Sequence, residues 1–353
     1  MLAQVGRDCV GALEILPRGD APQGVTTLEC EPLTEAQVAE ILRGAITPGP
    51  LGPGHDVDDF RISIAGAQEK TALLRIGGQW YLPHGTTPTT HILKLPLGLA
   101  GGMRLDLSQS VENEWLCSLI LKAYGLPVAT CECVQFDDMK ALAVERFDRR
   151  WWLGDGGDHW IVRLPQEDMC QVKGLSPQAK YEADGGPGIA GILESLEGSM
   201  TRDADRRTFF QAQVVFWLLC APDGHAKNFS VVLRPGGRYQ LTPLYDVLSA
   251  YPVLGDGPGK LSPFKVKLAM AVRSKNAHWR VRDILRRHWV AVGERHGIVS
   301  ADGRGASFVI DDLVERTPGV VETVRQALPR GFPERLADAV LAGVQAAANK
   351  LAG

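Results

Sequence analysis

The stretch of sequence that decides the fold reads Asp223-Gly224-His225-Ala226-Lys227-Asn228. A second aspartate, Asp246, lies 23 residues after Asp223. Carboxylate and amide oxygens suit Mg²⁺, which takes a few protein ligands and fills its remaining positions with water and phosphate oxygens. The stretch therefore predicts a magnesium and phosphate site, if the chain between residues 228 and 246 turns back on itself.

The intervening sequence predicts such a turn. Residues 229–233 are typical of a strand, Pro235-Gly236-Gly237 is a turn signal, and residues 239–242 are typical of a returning strand. The hairpin would bring Asp246 back beside Asp223 and Asn228. The simpler alternative is a solvated loop with a capping Asp and Asn, since short motifs of this kind often match by chance.

The same spacing is typical of the catalytic loop of kinases. There an aspartate accepts the proton of the acceptor hydroxyl, an asparagine five residues later binds one Mg²⁺, and a later aspartate binds the metal that bridges the ATP phosphates. The spacing predicts Asp223 as the base and Asn228 and Asp246 as the metal ligands.

The N-terminal half contains candidates for the phosphate side of such a site. Small residues at 63–67 precede a predicted strand at 71–76, so backbone N–H groups there can approach phosphates, although the Walker A pattern is absent. Lys94 lies in an apolar predicted strand at 90–96, and a buried lysine needs a partner. Phosphates would provide one, as would Glu112 or Glu114 of a predicted helix at 109–124. An edge-strand lysine that reaches solvent is the simpler alternative.

Several longer motifs resemble the HipA family of serine/threonine kinases, the toxins of bacterial type II toxin–antitoxin modules. They are residues 63–74, 88–91, 143–149, 163–171, 180–182, 223–230 and 245–246. The resemblance runs from about residue 5 to the C-terminus. It implies an α+β, two-lobed protein-kinase-like fold, with a mixed α/β N-lobe at residues 1–150 and a mainly helical C-lobe at residues 151–353.

The resemblance also implies roles for individual residues, with ATP and Mg²⁺ as cofactors. Asp223 would be the catalytic base, assisted by His225 and Lys227, and Asn228 and Asp246 would bind Mg²⁺. The residues that would contact ATP are Lys94, Ala65, Gly66, Ala67, Gln68, Glu145 and Phe147. Ser63 would be the autophosphorylated serine, and a phosphate there would add negative charge to a phosphate-binding loop and expel it.

As a member of this family the chain would phosphorylate an aminoacyl-tRNA synthetase, the glutamyl enzyme first and the tryptophanyl enzyme as the alternative, and so arrest growth. Its partner would be a helix-turn-helix antitoxin similar to HipB, which would carry the contact with operator DNA. The chain begins near the segment 2–11, whereas family members carry a further small subdomain before it. The chain therefore resembles a form without the N-terminal subdomain, and three explanations stay open: a truncated sequence, a start codon placed late, or a naturally short form whose missing subdomain is a separate small protein.

Two other function classes stay open. A small-molecule or lipid kinase would use the same set of Lys94, Asp223, Asn228 and Asp246, because phosphoryl transfer depends mainly on positioning and electrostatics. A pseudokinase that acts only as an antitoxin-binding corepressor would need a damaged site, and these four positions carry the expected residues.

Composition predicts a globular protein of two lobes. The chain has 353 residues, a length that exceeds the usual size of a domain with a single hydrophobic core. Of these residues, 45% are hydrophobic and 22% are charged, as in ordinary globular proteins. A net charge of −3 argues against autonomous nucleic-acid binding. Seven cysteines without a disulfide pattern favour the cytoplasm, and no apolar run has the length of a membrane span. Apolar spacing predicts C-terminal helices at 206–220, 278–295, 307–328 and 333–351.

Overall fold

The structure is a computed structural model that describes residues 8–16, 18–22, 24–46, 68–100, 104–154 and 159–353. Numbered along the chain, the strands are β1 (Cys30–Pro32), β2 (Lys70–Ile76), β3 (Gln79–Pro83), β4 (His91–Lys94), β5 (Gly98–Ala100), β6 (Leu105–Leu107), β7 (Cys131–Phe136), β8 (Met139–Glu145), β9 (Arg149–Leu153), β10 (His159–Arg163), β11 (Gln166–Asp168), β12 (Ser230–Arg234), β13 (Arg238–Leu241), β14 (Lys267–Arg273) and β15 (Ala277–Arg280). The α-helices are α1 (Glu35–Ile46), α2 (Ser110–Ala123), α3 (Met169–Val172), α4 (Ile189–Ser195), α5 (Arg202–Leu218), α6 (Arg286–Arg295), α7 (Ala306–Ala327) and α8 (Glu334–Ala352).

The chain forms two compact units, and both are discontinuous in sequence. Unit 1 comprises the described residues of Met1–Leu97 and Ala129–Gln166, and unit 2 those of Gly98–Val128 and Glu167–Gly353. This division differs from the predicted boundary at residue 150 in two segments. Helix α2 belongs to unit 2 because its apolar face, including Leu116 and Ile120, is part of the core of that unit. The hairpin of β9 and β10 belongs to unit 1.

Unit 1 is built on a six-stranded antiparallel sheet with the order β1-β3-β2-β4-β8-β7. Helix α1, which the sequence analysis did not predict, packs Val38, Ala39 and Leu42 into the core of this unit. A capping box precedes this helix: the N–H of Thr34 donates to the side chain of Gln37, and the N–H of Gln37 donates to the hydroxyl of Thr34. Strand β4 is central in the sheet, so every residue on it is flanked by β2 and β8.

A buried ionic network holds the first described residues of unit 1 against the segment that follows β8. Asp8 accepts from Arg146 at 2.9 Å and from Arg149 at 2.8 Å, and Asp148 also pairs with Arg146 at 2.9 Å. These side chains are all less than 10% exposed. The main-chain N–H of Gly11 donates to Asp148 at 2.7 Å, so the network also fixes the backbone of the N-terminal segment.

Unit 2 is organised around helix α5, which corresponds to the predicted helix at 206–220 and is buried on nearly all sides. Phe209, Phe210 and Trp217 of this helix pack in a core to which α2, α6, α7 and α8 also contribute. The predicted hairpin after Asn228 is present as β12 and β13, with Val231 opposite Leu241. The prediction of one helix over 278–295 is wrong in its first part, because Ala277–Arg280 pairs with β14 as a strand and the helix begins only at Arg286.

Candidate active site

Helix α5 presents the loop that contains Asp223, and aromatic packing fixes the position of that loop. The ring of Phe229 stacks on Phe216 with a centroid distance of 5.7 Å and meets Phe209 edge-on at 4.9 Å. A Cβ atom at Gly224 would lie 2.6 Å from the ring of Phe216, so only glycine fits there without a shift of the chain. The loop is therefore clamped to α5 on both sides of the predicted catalytic residues.

The side-chain amide of Asn228 connects the two aspartates of the motif. Its Nδ2 donates to the main-chain oxygen of Asp223 at 2.9 Å and to that of Asp246 at 3.3 Å. Asn228 is buried, and these two bonds fix the orientation of its amide group. Because the nitrogen is used by the two carbonyls, the amide oxygen is the atom that Asn228 can offer to a cation.

Asp246 adopts a backbone conformation that is rare for residues other than glycine. Its φ of 62° lies in the left-handed region, which aspartate tolerates better than most residues but at some energetic cost. The preceding residue, Tyr245, is anchored: its hydroxyl donates to the main-chain oxygen of Lys227 at 3.0 Å and lies 2.6 Å from the hydroxyl of Ser230. The return of the chain beside the loop is thus held by the hairpin and by Tyr245.

His225 lies in the buried part of the loop. Burial, the largest effect, lowers the pKa of His225 below that of an ordinary imidazole, although the charges of Asp223 and Asp246 act in the opposite direction. Among the residues that the structure describes, its Nδ1 has no hydrogen-bond partner. A neutral imidazole with one unused nitrogen can exchange a proton or accept a hydrogen bond, so the predicted role in catalysis stays open.

Lys227 forms an ion pair that the sequence analysis did not anticipate. Its Nζ lies 2.5 Å from Oδ2 of Asp168, and both side chains are mostly buried. The other carboxylate oxygen of Asp168 caps α3 by accepting from the N–H groups of Cys170 and Gln171, each at 2.9 Å. The signal was present in the sequence, because Asp168 and Gln171 form a capping box at the start of a short helix.

Tyr181 is a second residue that the sequence analysis did not place at the site. Its hydroxyl donates to Oδ1 of Asp223 at 2.5 Å, and its ring meets the imidazole of His225 edge-on with centroids 5.1 Å apart. Burial and the hydrogen bond to Asp223 raise the pKa of the Tyr181 phenol above its ordinary value. The residue belongs to the motif at 180–182, but nothing local in that motif indicates a contact 42 positions away.

The remaining predicted ligands for the nucleotide that the structure describes lie in unit 1. Lys94 is 8% exposed and pairs on its two sides with Lys70 of β2 and Leu142 of β8, so the alternative of an edge-strand lysine is wrong. Nε2 of Gln68 donates to the main-chain oxygen of Leu95 at 2.6 Å, which fixes this residue to the end of β4. Ser63, Ala65, Gly66 and Ala67 lie outside the described residues.

The predicted adenine hinge follows β8. The N–H of Glu145 donates to Thr130 and that of Arg146 donates to Thr90, each at 2.8 Å. Main-chain pairing therefore uses both of these N–H donors. Phe147 is half-buried next to these residues. Both roles stay predictions.

The chain is similar to several known proteins. Residues 62–321 match the model of the HipA-like C-terminal domain. The chain is 36% identical over 260 residues to the putative kinase Y4mE of Sinorhizobium fredii, covering 72% of this chain and 58% of that protein. It is 28% identical over 284 residues to the serine/threonine-protein kinase toxin HipA of Shewanella oneidensis, covering 77% and 59%. The chain thus spans about three fifths of the length of these relatives.

Two solved structures share the fold. The complex of HipA, HipB and operator DNA from Shewanella oneidensis contains a chain that superposes with a TM-score of 0.74 at 23% identity, over 100% of this chain and 78% of that one. The proinflammatory kinase CtkA of Helicobacter pylori superposes with a TM-score of 0.50 at 11% identity, over 87% of this chain and 94% of that one. These likenesses establish an α+β kinase-like fold.

Proposed function

The chain belongs to the family of HipA-like C-terminal domains, and from this premise we propose that it is an ATP- and Mg²⁺-dependent protein serine/threonine kinase. The observation that carries the proposal is the amide of Asn228, which donates to the main-chain oxygens of both Asp223 and Asp246. Three side chains with the chemistry of a phosphoryl-transfer site thus share one hydrogen-bonded frame. Relatives that are named as kinases support the same reading.

The donor set fits Mg²⁺ by its chemistry. Asn228 and Asp246 would hold the metal through hard oxygen atoms, and the amide of Asn228 is already oriented with its oxygen available. When bound, Mg²⁺ would neutralise charge on the phosphate oxygens of ATP. Lys94 would contact the phosphates, together with the segment of Ala65, Gly66, Ala67 and Gln68. Glu145 and Phe147 would hold the adenine.

Asp223 would act as the base that accepts the proton of the acceptor hydroxyl. It is exposed, whereas Asn228 and His225 on the same loop are buried, so its carboxylate is accessible to an incoming acceptor. His225 and Lys227 would assist, the first through its imidazole and the second as a cation. Since Lys227 is paired with Asp168, its effect would be that of a fixed and partly neutralised charge.

We propose an aminoacyl-tRNA synthetase as the protein substrate, the glutamyl enzyme first and the tryptophanyl enzyme as the alternative. The resemblance to the HipA family supports this choice, as does the name of the relative from Shewanella oneidensis, a kinase toxin. Ser63 would be the site of autophosphorylation. The outcome would be translational arrest in the cytoplasm, and among the described residues no helix is long and apolar enough to cross a membrane.

The proposed partner is a helix-turn-helix antitoxin similar to HipB. The solved neighbour is a complex of HipA, HipB and operator DNA, which supports this assignment by analogy. The net charge of −3 supports contact with DNA through the antitoxin rather than through this chain.

The decisive experiment is incubation of the purified chain with labelled Mg-ATP and each synthetase, followed by mass spectrometry. We expect label on one synthetase and on Ser63. Asp223→Asn should lower transfer by about 10²- to 10⁴-fold, the usual contribution of a general base, and leave Mg-ATP binding unchanged. Asp137→Asn, an exposed change in the turn between β7 and β8, is the matched control and should leave transfer unchanged.

Other results would point to other functions. Label on a small molecule or lipid would replace the protein kinase assignment. Failure of the wild-type chain to bind Mg-ATP would favour a corepressor that only binds its antitoxin. Full transfer by Asp223→Asn would refute the role of Asp223.

A further inference from the structure

The phenol of Tyr181 lies where the hydroxyl of a phosphoryl acceptor has to lie. A general base acts on a proton only when a hydroxyl is within hydrogen-bond distance, about 2.6 to 3.2 Å between the oxygens. Tyr181 places an O–H group 2.5 Å from Oδ1 of Asp223 and donates its hydrogen bond to that atom. In the resting chain, the carboxylate thus already holds a hydroxyl in the geometry that a serine or threonine acceptor would need.

We propose that Tyr181 occupies the acceptor-hydroxyl subsite of this enzyme and that an acceptor binds by displacing its phenol. The inference rests on the proposed kinase function. In the transfer, the acceptor oxygen forms a bond to the γ-phosphorus of ATP, the bond from that phosphorus to the bridging oxygen of ADP breaks with its electron pair on ADP, and the acceptor proton passes to Asp223. Tyr181 therefore determines which hydroxyls reach the base.

The main chain around Tyr181 is fixed, which shows that the phenol is aimed at Asp223 by the fold. The carbonyl of Tyr181 accepts from the N–H groups of Asp184 at 3.0 Å and Gly186 at 2.9 Å. The next residue, Glu182, is anchored to β14: its carboxylate accepts from the N–H of Ala271 at 2.7 Å and pairs with Arg273 at 2.6 Å. With the backbone held at Tyr181 and at Glu182, displacement of the phenol requires only rotation of the tyrosine side chain.

The surroundings of the phenol suit an acceptor that brings its own polar groups. Nζ of Lys180 lies 5.0 Å from the centroid of the Tyr181 ring, and the imidazole of His225 meets the ring edge-on. When the phenol leaves, the subsite is bordered by a cation, an imidazole and the carboxylate of Asp223. Such a lining favours a hydroxyl on a protein segment with neighbouring acidic or hydrogen-bonding groups over an apolar alcohol.

Tyr181→Phe tests the proposal, because it keeps the ring and removes only the hydroxyl. An acceptor can bind only to those molecules in which the phenol of Tyr181 has left the subsite. The apparent affinity for the acceptor is therefore the intrinsic affinity multiplied by the fraction of such molecules. With dephosphorylated casein as the acceptor, we therefore expect KM for casein to fall by about tenfold, the scale of a hydrogen bond to a charged group, with kcat and the KM for ATP unchanged. Tyr239→Phe is the matched control, since the phenol of Tyr239 also makes a short hydrogen bond, 2.6 Å to the main-chain oxygen of Ser195.

A change in kcat without a change in KM for casein would overturn the proposal. If Tyr181→Phe lowered kcat and left KM for casein unchanged, Tyr181 would be a positioning residue for the base. Phosphate found on Tyr181 itself would support the assignment, because it requires the phenol in the acceptor position. If casein accepts no phosphate, the same comparison is made on the rate of label incorporation into the chain itself, which Tyr181→Phe should raise.

A second measurement separates this inference from the kinase assignment. The ¹³Cζ resonance of Tyr181, identified by its loss in Tyr181→Phe, reports the phenol without any activity. In Asp223→Asn we expect the raised pKa of this phenol to move toward that of an ordinary tyrosine. An identical titration in both proteins would overturn the proposal even for an active kinase. No transfer by the wild-type chain, with the contact intact, would overturn the kinase function and the acceptor role together.

Discussion

The ammonium group of Lys227 lies 2.5 Å from the carboxylate of Asp168, the residue that caps α3. One carboxylate thus performs two tasks, which two substitutions separate. Asp168→Asn keeps a capping oxygen and removes the ion pair, whereas Asp168→Ala removes both. We expect the free energy of unfolding to fall by about 1 kcal/mol more in Asp168→Ala, the usual value of an N-cap. Urea denaturation measures the difference, and equal losses would show that the cap contributes nothing.

A substitution at Asp246 can separate the effect of its left-handed backbone conformation from the proposed role of its carboxylate as a metal ligand. Asparagine tolerates the left-handed region as aspartate does, so Asp246→Asn should keep the melting temperature within about 2 °C while phosphoryl transfer falls by about 10²-fold or more. Asp137 also has a positive φ, of 50°, and lies in an exposed turn of unit 1. Asp137→Asn is therefore the control for the backbone. Normal Mg²⁺-dependent transfer by Asp246→Asn would contradict its role as a metal ligand.

The buried amide of Asn113 should stabilise unit 2 strongly. Its Nδ2 donates to the main-chain oxygen of Ser249 at 2.8 Å, and its Oδ1 accepts from the N–H of Ser249 at 2.9 Å. Asn113→Ala leaves two buried backbone groups without partners, and we expect a loss of about 2 to 4 kcal/mol in the free energy of unfolding. Ser249→Ala removes the bond that Oγ donates to Leu219 and the bond that it accepts from the N–H of Tyr251 at 3.2 Å, and should cost less, about 1 to 2 kcal/mol. Similar losses in both variants would argue against the paired amide as the main contribution.

The ionic network of unit 1 predicts an acid-labile fold. Burial raises the pKa of Asp8, but Arg146 and Arg149 outweigh it, and the net pKa lies below the ordinary value. Asp148 behaves in the same way beside Arg146. A depressed pKa contributes stability that is fully present above the unfolded value near pH 4 and is lost as the pH falls through the folded value. Denaturation midpoints between pH 7 and pH 2 should therefore decline steeply below about pH 4.

Two variants isolate the network. Arg146→Ala removes the arginine that pairs with both buried carboxylates and leaves them to Arg149, and should cost about 3 to 5 kcal/mol at pH 7. Asp138→Asn breaks an exposed ion pair with Arg43 and should change stability little. A pH profile of the wild-type protein that is flat between pH 5 and pH 2 would be incompatible with the depressed pKa values of Asp8 and Asp148.

Local signals predicted the parts of the site that are close in sequence. The hairpin between Asn228 and Asp246 followed from strand alternation and the turn at 235–237, and the structure confirms it. The helix predicted over 278–295 failed at its start, because the strand pairing of Ala277–Arg280 with β14 overrides a helical spacing of apolar residues. There His278 stacks on His288 with centroids 3.7 Å apart, a tertiary contact that no periodicity reveals.

Contacts between distant parts of the chain were beyond the sequence. The hydrogen bond from Tyr181 to Asp223 and the ion pair from Lys227 to Asp168 each depend on how α3 and the segment after it pack on the loop. Tyr181 and Asp168 lie in the motifs at 180–182 and 163–171 that the sequence shares with the HipA family. A motif of this kind indicates that a segment is functionally important, but it does not indicate which distant residue the segment contacts. The burial of Lys94 could not be predicted for the same reason. It depends on the central position of β4, which only the strand order of the sheet shows.

The interleaving of the two units has a consequence for how the protein can be made and dissected. During synthesis, residues 98–128 of unit 2 are translated before residues 129–166, which contain the last strands of unit 1. The apolar face of α2 can therefore be buried only after α5, which forms the centre of the same core, has been translated. No single cut yields either unit whole: a fragment that begins at residue 167 lacks residues 98–128 of unit 2, and one that ends at residue 97 lacks residues 129–166 of unit 1.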